Sequence, residues 1–348
     1  LWYDARVLTN TMPERFRGMS LREVERALDL GDPARDGRIF RVVREGVEVV
    51  TRREGPDEVT EYHTPVGSIR TMTHQSSDLE AQGLPGRVSE YPLKGPRDYG
   101  VWEWIVEHTH WEPDYDAYRA YDAEVGDNGL PMVAVGDVPF NDFVLDLAGY
   151  DSAFYQLADY PDEIAHMLAV MTAVDRERLW PVIADSPARL VAHGRHLSSQ
   201  FTPPRLFEKY VLPYYQEFMP VVHERGIAVT MHADNDVSRI LAHLERAGWD
   251  MMECFVTAPM VPLTLAQARA AWGDRMVLWG GLPSLLFAPS VREDEFRAYV
   301  RDVFKTIAPG KAFILGIADN AMPDSLIDRV AWVSEYVAEH GWYPLAGG

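Results

Sequence analysis

The run Met231-His232-Ala233-Asp234 sets an imidazole and a carboxylate two residues apart. In a strand that spacing sends both side chains to one face. Glu253 closes the next apolar run, and Asp319 follows the last one, in Gly316-Ile317-Ala318-Asp319-Asn320. Gathered at neighbouring strand ends, His232, Asp234, Glu253 and Asp319 offer one nitrogen and several hard oxygens, a set open to zinc, manganese or iron. A second group, His193, Arg195 and His196, follows another apolar run. Either histidine could move a proton near neutral pH, and Arg195 could clamp a substrate carboxylate. Asp137 and Asn141, with Asp142, follow Met132–Val135. Asp137 is a candidate for proton handling and Asn141 for substrate contact, while Phe255 and Trp279 are candidate pocket walls. Each has a plainer reading: a hydrogen-bonded scaffold histidine, a surface ion pair, a core aromatic. Cys254 follows Glu253 in the same run, so alternation turns its sulfur to the opposite face as a small buried apolar group.

The elements that would position these residues follow a strand-then-helix rhythm from about residue 130. Strands are expected at 132–135, 189–192, 227–231, 249–255, 276–278 and 312–317. Helices are expected at 160–183, 204–225, 237–247, 263–272, 291–307 and 323–340. Glycines 226, 248, 273 and 341 stand just past four of the helices, and Pro204 and Pro323 stand at the start of two, as stop and start signals should. Six such units imply a parallel sheet with right-handed crossovers. The fold class expected is α/β, a (β/α)8 TIM barrel over residues 96–348, with its first one or two units inside 75–130. Such a barrel places chemistry at the carboxyl ends of its strands. Residues 1–95 read as an N-terminal α+β elaboration. Ser20-Leu-Arg-Glu opens a helix with a capping box. Short β-rich runs at 47–51 and 59–62 flank Gly55-Pro56-Asp57 as a hairpin with a longer loop, and 68–73 is a third strand. Trp102–Tyr121 reads as helix plus loop.

Length and composition bound the functions. At 348 residues the chain allows about two domains, or one large barrel with an elaboration. The net charge is −20, which repels nucleic-acid phosphate unless a basic patch is concentrated. The most basic stretch, Arg41–Arg53, is interleaved with Glu45 and Glu48 and reads as a solvated surface. One cysteine rules out an intramolecular disulfide framework and fits a reducing, cytoplasmic setting. No apolar run reaches the roughly 18 residues of a membrane span, and the start shows no signal-peptide pattern. Gly-x-Gly-x-x-Gly after a strand, the P-loop, His-Glu-x-x-His, Gly-x-Ser-x-Gly and Cys-x-x-Cys are all missing. That weakens Rossmann, P-loop, metalloprotease, α/β-hydrolase and thioredoxin readings.

Five stretches together resemble the uroporphyrinogen decarboxylase superfamily, which includes corrinoid-linked methyltransferases and cobalamin-independent methionine synthases. They are Phe201-Thr-Pro-Pro-Arg-Leu-Phe-Glu-Lys-Tyr-Val-Leu-Pro-Tyr-Tyr, His223-Glu-Arg-Gly, Met231-His-Ala-Asp, Arg269-Ala-Ala-Trp-Gly-Asp-Arg-Met-Val-Leu-Trp-Gly-Gly-Leu-Pro and Phe313-Ile-Leu-Gly-Ile-Ala-Asp-Asn-Ala-Met-Pro. The likeness covers about residues 130–340 and implies a (β/α)8 barrel. The Arg-Gln-Ala-Gly-Arg type of substrate motif is not found, which weighs against porphyrinogen decarboxylation. Zinc methyltransferases of the superfamily carry His-x-Cys, often a Glu on the next strand, and a Cys after the last strand. Here His232 matches the His, Asp234 stands in the first Cys position, Glu253 falls at the Glu, and Asp319 lies near the last Cys. The resemblance thus implies a divalent metal, zinc first, with carboxylates in place of both sulfurs. It implies a methyltransferase-type enzyme similar to the substrate-specific component of a corrinoid-dependent O-demethylase, acting on a small methoxylated or methylated molecule. Its corrinoid would ride on a separate partner protein, since Asp-x-His-x-x-Gly is absent. Two other readings stand beside it: a cofactor-free decarboxylase or lyase acting on an acidic small molecule, and a non-catalytic ligand-binding barrel. The sequence leaves the oligomeric state open.

Overall fold

The computed structural model describes residues 13–81, 85–319, 321–322 and 324–345. Residues 1–12 of the expected elaboration, Asn320, and Pro323 at the expected start of the last helix lie outside them. Ser20 caps the helix Leu21–Ala27 as its spacing predicts: its hydroxyl accepts from the Glu23 N–H and the Glu23 carboxylate accepts from the Ser20 N–H. The amino-terminal strands are β1 (Phe40–Arg44), β2 (Glu48–Glu54), β3 (Asp57–Thr64), β4 (Gly67–His74) and β5 (Arg87–Glu90), followed by β6 (Thr109–Pro113). Strands β2 to β5 form an antiparallel meander. Its first turn is shorter than the expected loop, because Glu54 already pairs with Asp57. On this meander Arg52 pairs with Glu54 and Glu61, and Arg70 with Glu90, so the basic stretch is neutralised locally. The 102–121 region holds a strand that its mixed composition hides. The helix Pro96–Glu107 gives way to β6 and then to the helix Tyr115–Val125.

The larger sheet contains β7 (Met132–Gly136), β8 (Leu190–Arg195), β9 (Ala228–His232), β10 (Met251–Phe255), β11 (Val277–Pro283) and β12 (Phe313–Ala318). All six are parallel and lie in sequence order, each at an expected position and each followed by helix. The fold is therefore α/β around a six-stranded parallel sheet. The closed eight-stranded barrel is not what the described residues show: β7 and β12 form the two edges. No parallel unit comes from 75–130, because β6 is engaged antiparallel with β1. Residues 32–37 lie along the outer edge of β7 instead, through bridges Asp32 to Gly129 and Gly37 to Val133 and a 2.8 Å bond from the Met132 N–H to the Ala34 carbonyl.

Alternation divides the sheet's residues between two faces. Val191, Val229, Met231, Met252 and Leu278 join the main core under the helices. Each such buried side chain stabilises the sheet–helix layer by roughly 1.5–3 kcal/mol. Leu190, Ala192, Ala228, Met251, Val277 and Trp279 form a separate, smaller apolar cluster on the other face.

The alternation breaks only toward the carboxyl ends, where three β-bulges occur. One residue is extra in β7 against β8 near Gly136, one in β8 against β9 before Arg195, and one in β10 against β11 before Phe255. Bulges bend a strand and redirect its side chains, and they gather at barrel rims and active sites. Two glycines make them possible. Gly194 has φ +98°, and a Cβ there would stand 2.7 Å from the Tyr215 hydroxyl. A Cβ on Gly280 would stand 2.5 Å from the Phe255 carbonyl oxygen, so only glycine lets β11 approach the bulged β10.

Candidate active site at the carboxyl edge of the parallel sheet

His232 ends β9, directly opposite Glu253 of β10 and Arg195 of β8 in the strand register. The His232 Nδ1 and Glu253 Oε2 are 2.6 Å apart. The other Glu253 oxygen pairs with the Arg35 guanidinium, which also lies 5.3 Å above the Trp279 ring. Glu253 is buried, so its charge is held between two donors rather than by water. With Nδ1 engaged, the His232 Nε2 faces Asp234, 3.6 Å from its Oδ2. Asp234 in turn accepts from His196 Nδ1 at 2.7 and 2.8 Å. The His196 and His232 rings stand edge to face with centroids 5.2 Å apart.

The electrostatics follow from these contacts. Burial draws the His232 imidazole downward, but its bonds to Asp234 and Glu253 outweigh burial and push it up to about 9. For Asp234 burial favours the neutral acid, and the two histidines more than reverse it, holding the carboxyl well below its usual range. The pair is an imidazolium beside a carboxylate.

Cys254 departs from the alternation argument. The bulge in β10 falls on it, its φ is +57°, and its Sγ lies 3.8 Å from Asp319 Oδ1. The sulfur thus shares the side of the strand with Glu253. The same extra residue turns Phe255 away from the candidate pocket: it is buried in the main core, its ring 5.6 Å from Trp272. One register shift therefore corrects two expectations. Two sets of donor atoms within 4.8 Å of one another meet at His232: His196, His232 and Asp234, and His232, Cys254 and Asp319.

Other expected site residues lie elsewhere. His193 points to the helix side of the sheet, fully buried, with Nδ1 2.9 Å from the Tyr215 hydroxyl and Nε2 3.3 Å from that of Tyr214. Burial drives it down to about 3, so it stays neutral and cannot serve as the acid at the edge. Asn141 is buried and donates to Asp137 and to the Arg195 carbonyl, at 2.5 and 2.7 Å. Asp137 also accepts from the Val138 and Arg195 N–H groups, and burial raises it to about 7. The Arg195 guanidinium pairs with Asp146 and lies within 4 Å of Asp137 and Asp142. Three aspartates thus already occupy the proposed clamp. Asp137, Asp142, Asp146 and Asp175 line a cavity of about 300 Å³ with Trp102 and Trp111, outside β7 rather than at His232.

Residues 110–340, more than half of the chain, match the uroporphyrinogen decarboxylase (URO-D) family. The chain belongs to that family. Twelve solved chains are similar. Among them is a methyltransferase from Methanosarcina mazei, at 14% identity and a TM-score of 0.47 over 66% of this chain and 64% of that one. No curated protein matches it. Among the described residues no helix is long and apolar enough to cross a membrane.

In this URO-D chain, reasoning from sequence missed Arg35, Cys254 and Tyr150. Arg35 is 218 residues from its partner Glu253, and no local pattern links them. Tyr150 stacks against Phe201 with centroids 4.1 Å apart. Burial, with the charge of Asp234 added, raises its hydroxyl. The only sequence signal for Cys254 was its place beside Glu253, and the bulge reverses the direction that place implies.

Proposed function

We propose that this protein is a methyltransferase-type URO-D enzyme, similar to the substrate-specific component of a corrinoid-dependent O-demethylase. A small methoxylated or methylated substrate would meet a divalent metal, zinc first, at the carboxyl edge of the parallel sheet, in a catalytic domain of residues 96–348 with 1–95 as an elaboration. A corrinoid on a partner protein would accept the methyl group. One observation carries this reading: imidazole, thiol and carboxylate donors from four separated chain segments converge around His232. That donor set fits a divalent ion. His232 would hold the ion with Asp234 or with Asp319, each of which shares a group of donor atoms with it, while Glu253, also expected as a ligand, lies outside both groups. Such an ion supplies Lewis acidity to the heteroatom from which the methyl group departs.

The chain's own residues do the rest. Glu253 fixes the His232 ring through Nδ1, the outer-shell support that metal-binding histidines use. Arg35 holds Glu253 in place and covers Trp279, which walls the site. His196, bonded to Asp234, can deliver a proton to the departing heteroatom. The rival, decarboxylation of an acidic molecule, needs a cation for the substrate's carboxylate. Arg195 and Arg35 are both already paired with acids.

Elemental analysis of the purified protein, followed by assay with methoxylated substrates and a corrinoid protein, tests the proposal. About one divalent ion per chain and turnover only with corrinoid are expected. Activity unchanged by chelation, or carbon dioxide release without corrinoid, would overturn it.

A further inference from the structure

We propose that Cys254 is a metal ligand, completing with His232 and Asp319 a nitrogen–sulfur–oxygen site that selects a thiophilic divalent ion. This rests on the metal reading above and sharpens it. The β10 bulge puts Cys254 in the left-handed region and brings its Sγ into the group with His232 and Asp319, all donor atoms within 4.8 Å. Tetrahedral zinc with bonds of about 2.3 Å to sulfur and about 2.0 Å to oxygen separates those two ligand atoms by about 3.5 Å. The Sγ to Asp319 Oδ1 distance of 3.8 Å is slightly longer than such an edge, and a small side-chain rotation closes it. A left-handed cysteine is uncommon and costs backbone energy. A core-filling role would need no such turn, since alternation alone would bury the side chain under the helices.

The ligand choice has a chemical consequence. Thiolate favours zinc and cadmium over manganese and magnesium, whereas a site of one imidazole and carboxylates discriminates less. On binding, the thiol S–H bond breaks, the sulfur pair goes to the ion, and the proton leaves to solvent.

Because Cys254 is the single cysteine of the sequence, any thiolate signal belongs to it. The chain is stripped with a chelator and loaded with Co(II). A near-ultraviolet thiolate-to-cobalt charge-transfer band is expected. Cys254→Ser should lose the band and weaken zinc binding by about 100-fold while manganese binding changes little. Stoichiometric cobalt without the band would overturn this inference and leave the metal site standing. No metal bound by the native chain would overturn both. The wild-type band decides the matter even where the variant fails to fold.

Discussion

The two faces of the parallel sheet each hold histidines and aspartates, and they use them in opposite ways. On the helix side, His193, Tyr214, Tyr215 and Asp175 form a buried chain: Asp175 accepts from Tyr214 at 3.0 Å, and both tyrosines meet His193. Trp180 also donates to the Tyr214 hydroxyl, at 3.0 Å. Every partner there belongs to the scaffold, and burial drives His193 to about 3 and Asp175 to about 7, both toward neutrality. At the carboxyl edge, His232, His196 and Asp234 are partly accessible and are one another's partners. There the paired charges hold, with His232 up at about 9. The lesson is that residue type does not separate scaffold from chemistry. What separates them is whether the hydrogen bonds close within the core or lie at a partly accessible edge, where the proposed ligand would sit.

The strongest way to break this contrast is to remove each side's histidine. His232→Ala should abolish metal retention and lower turnover by about 100-fold or more, with little change in the melting temperature. Elemental analysis and thermal unfolding read both, and a variant that keeps its metal would erase the distinction. His193→Ala should do the reverse. It leaves a cavity and two tyrosine hydroxyls short of a partner, so about 2–4 kcal/mol of stability should be lost with metal content intact. Denaturant titration measures the loss.

A smaller effect sharpens the role of Glu253. Glu253→Gln keeps the shape but weakens the hold on His232 and leaves Arg35 without its charge partner. Metal affinity should fall by about 10-fold in a competition titration. A fall as large as that of His232→Ala would make Glu253 a ligand rather than an orienting group.

The smallest expected effect is on the helix side. Burial raises Asp175 from 3.8 to about 7, so the folded chain keeps a proton that the unfolded chain loses. Stability should therefore be greatest below about pH 4 as far as this group is concerned, decline as pH rises to about 7, and level off beyond. Asp175→Asn should remove that decline. Its advantage over the parent should be about 1–2 kcal/mol at pH 8 and smaller at pH 5, read by melting curves at both pH values. An equal offset at both would assign Asp175 no such titration.

Much of the scaffold was legible residue by residue. Met132–Val135 and Ala228–Met231 are apolar runs bounded by turn residues, and Ser20-x-x-Glu23 caps a helix as its spacing predicts. His232, Asp234, Glu253 and Asp319 were legible as strand-end groups for the same local reason. Arg195 and Asn141 were misjudged because their partners, Asp146 and Asp137, lie on the segment after β7, and nothing in either stretch shows that they face each other. The expected early barrel strands failed because β6 found β1 instead.

The sequence by itself determined the alternation of strand and helix, the order of the parallel strands and the family to which the chain belongs. The alternation and order arise from short-range periodicity and turn chemistry, whereas the family is carried by the motif stretches between residues 201 and 323. The tertiary structure decided which side chains share a space. That depended on three one-residue bulges, on the close approach allowed at Gly194 and Gly280, and on Arg35 arriving from 218 residues away. A bulge forms between two strands, so its register is a property of the pair and is written in neither strand alone.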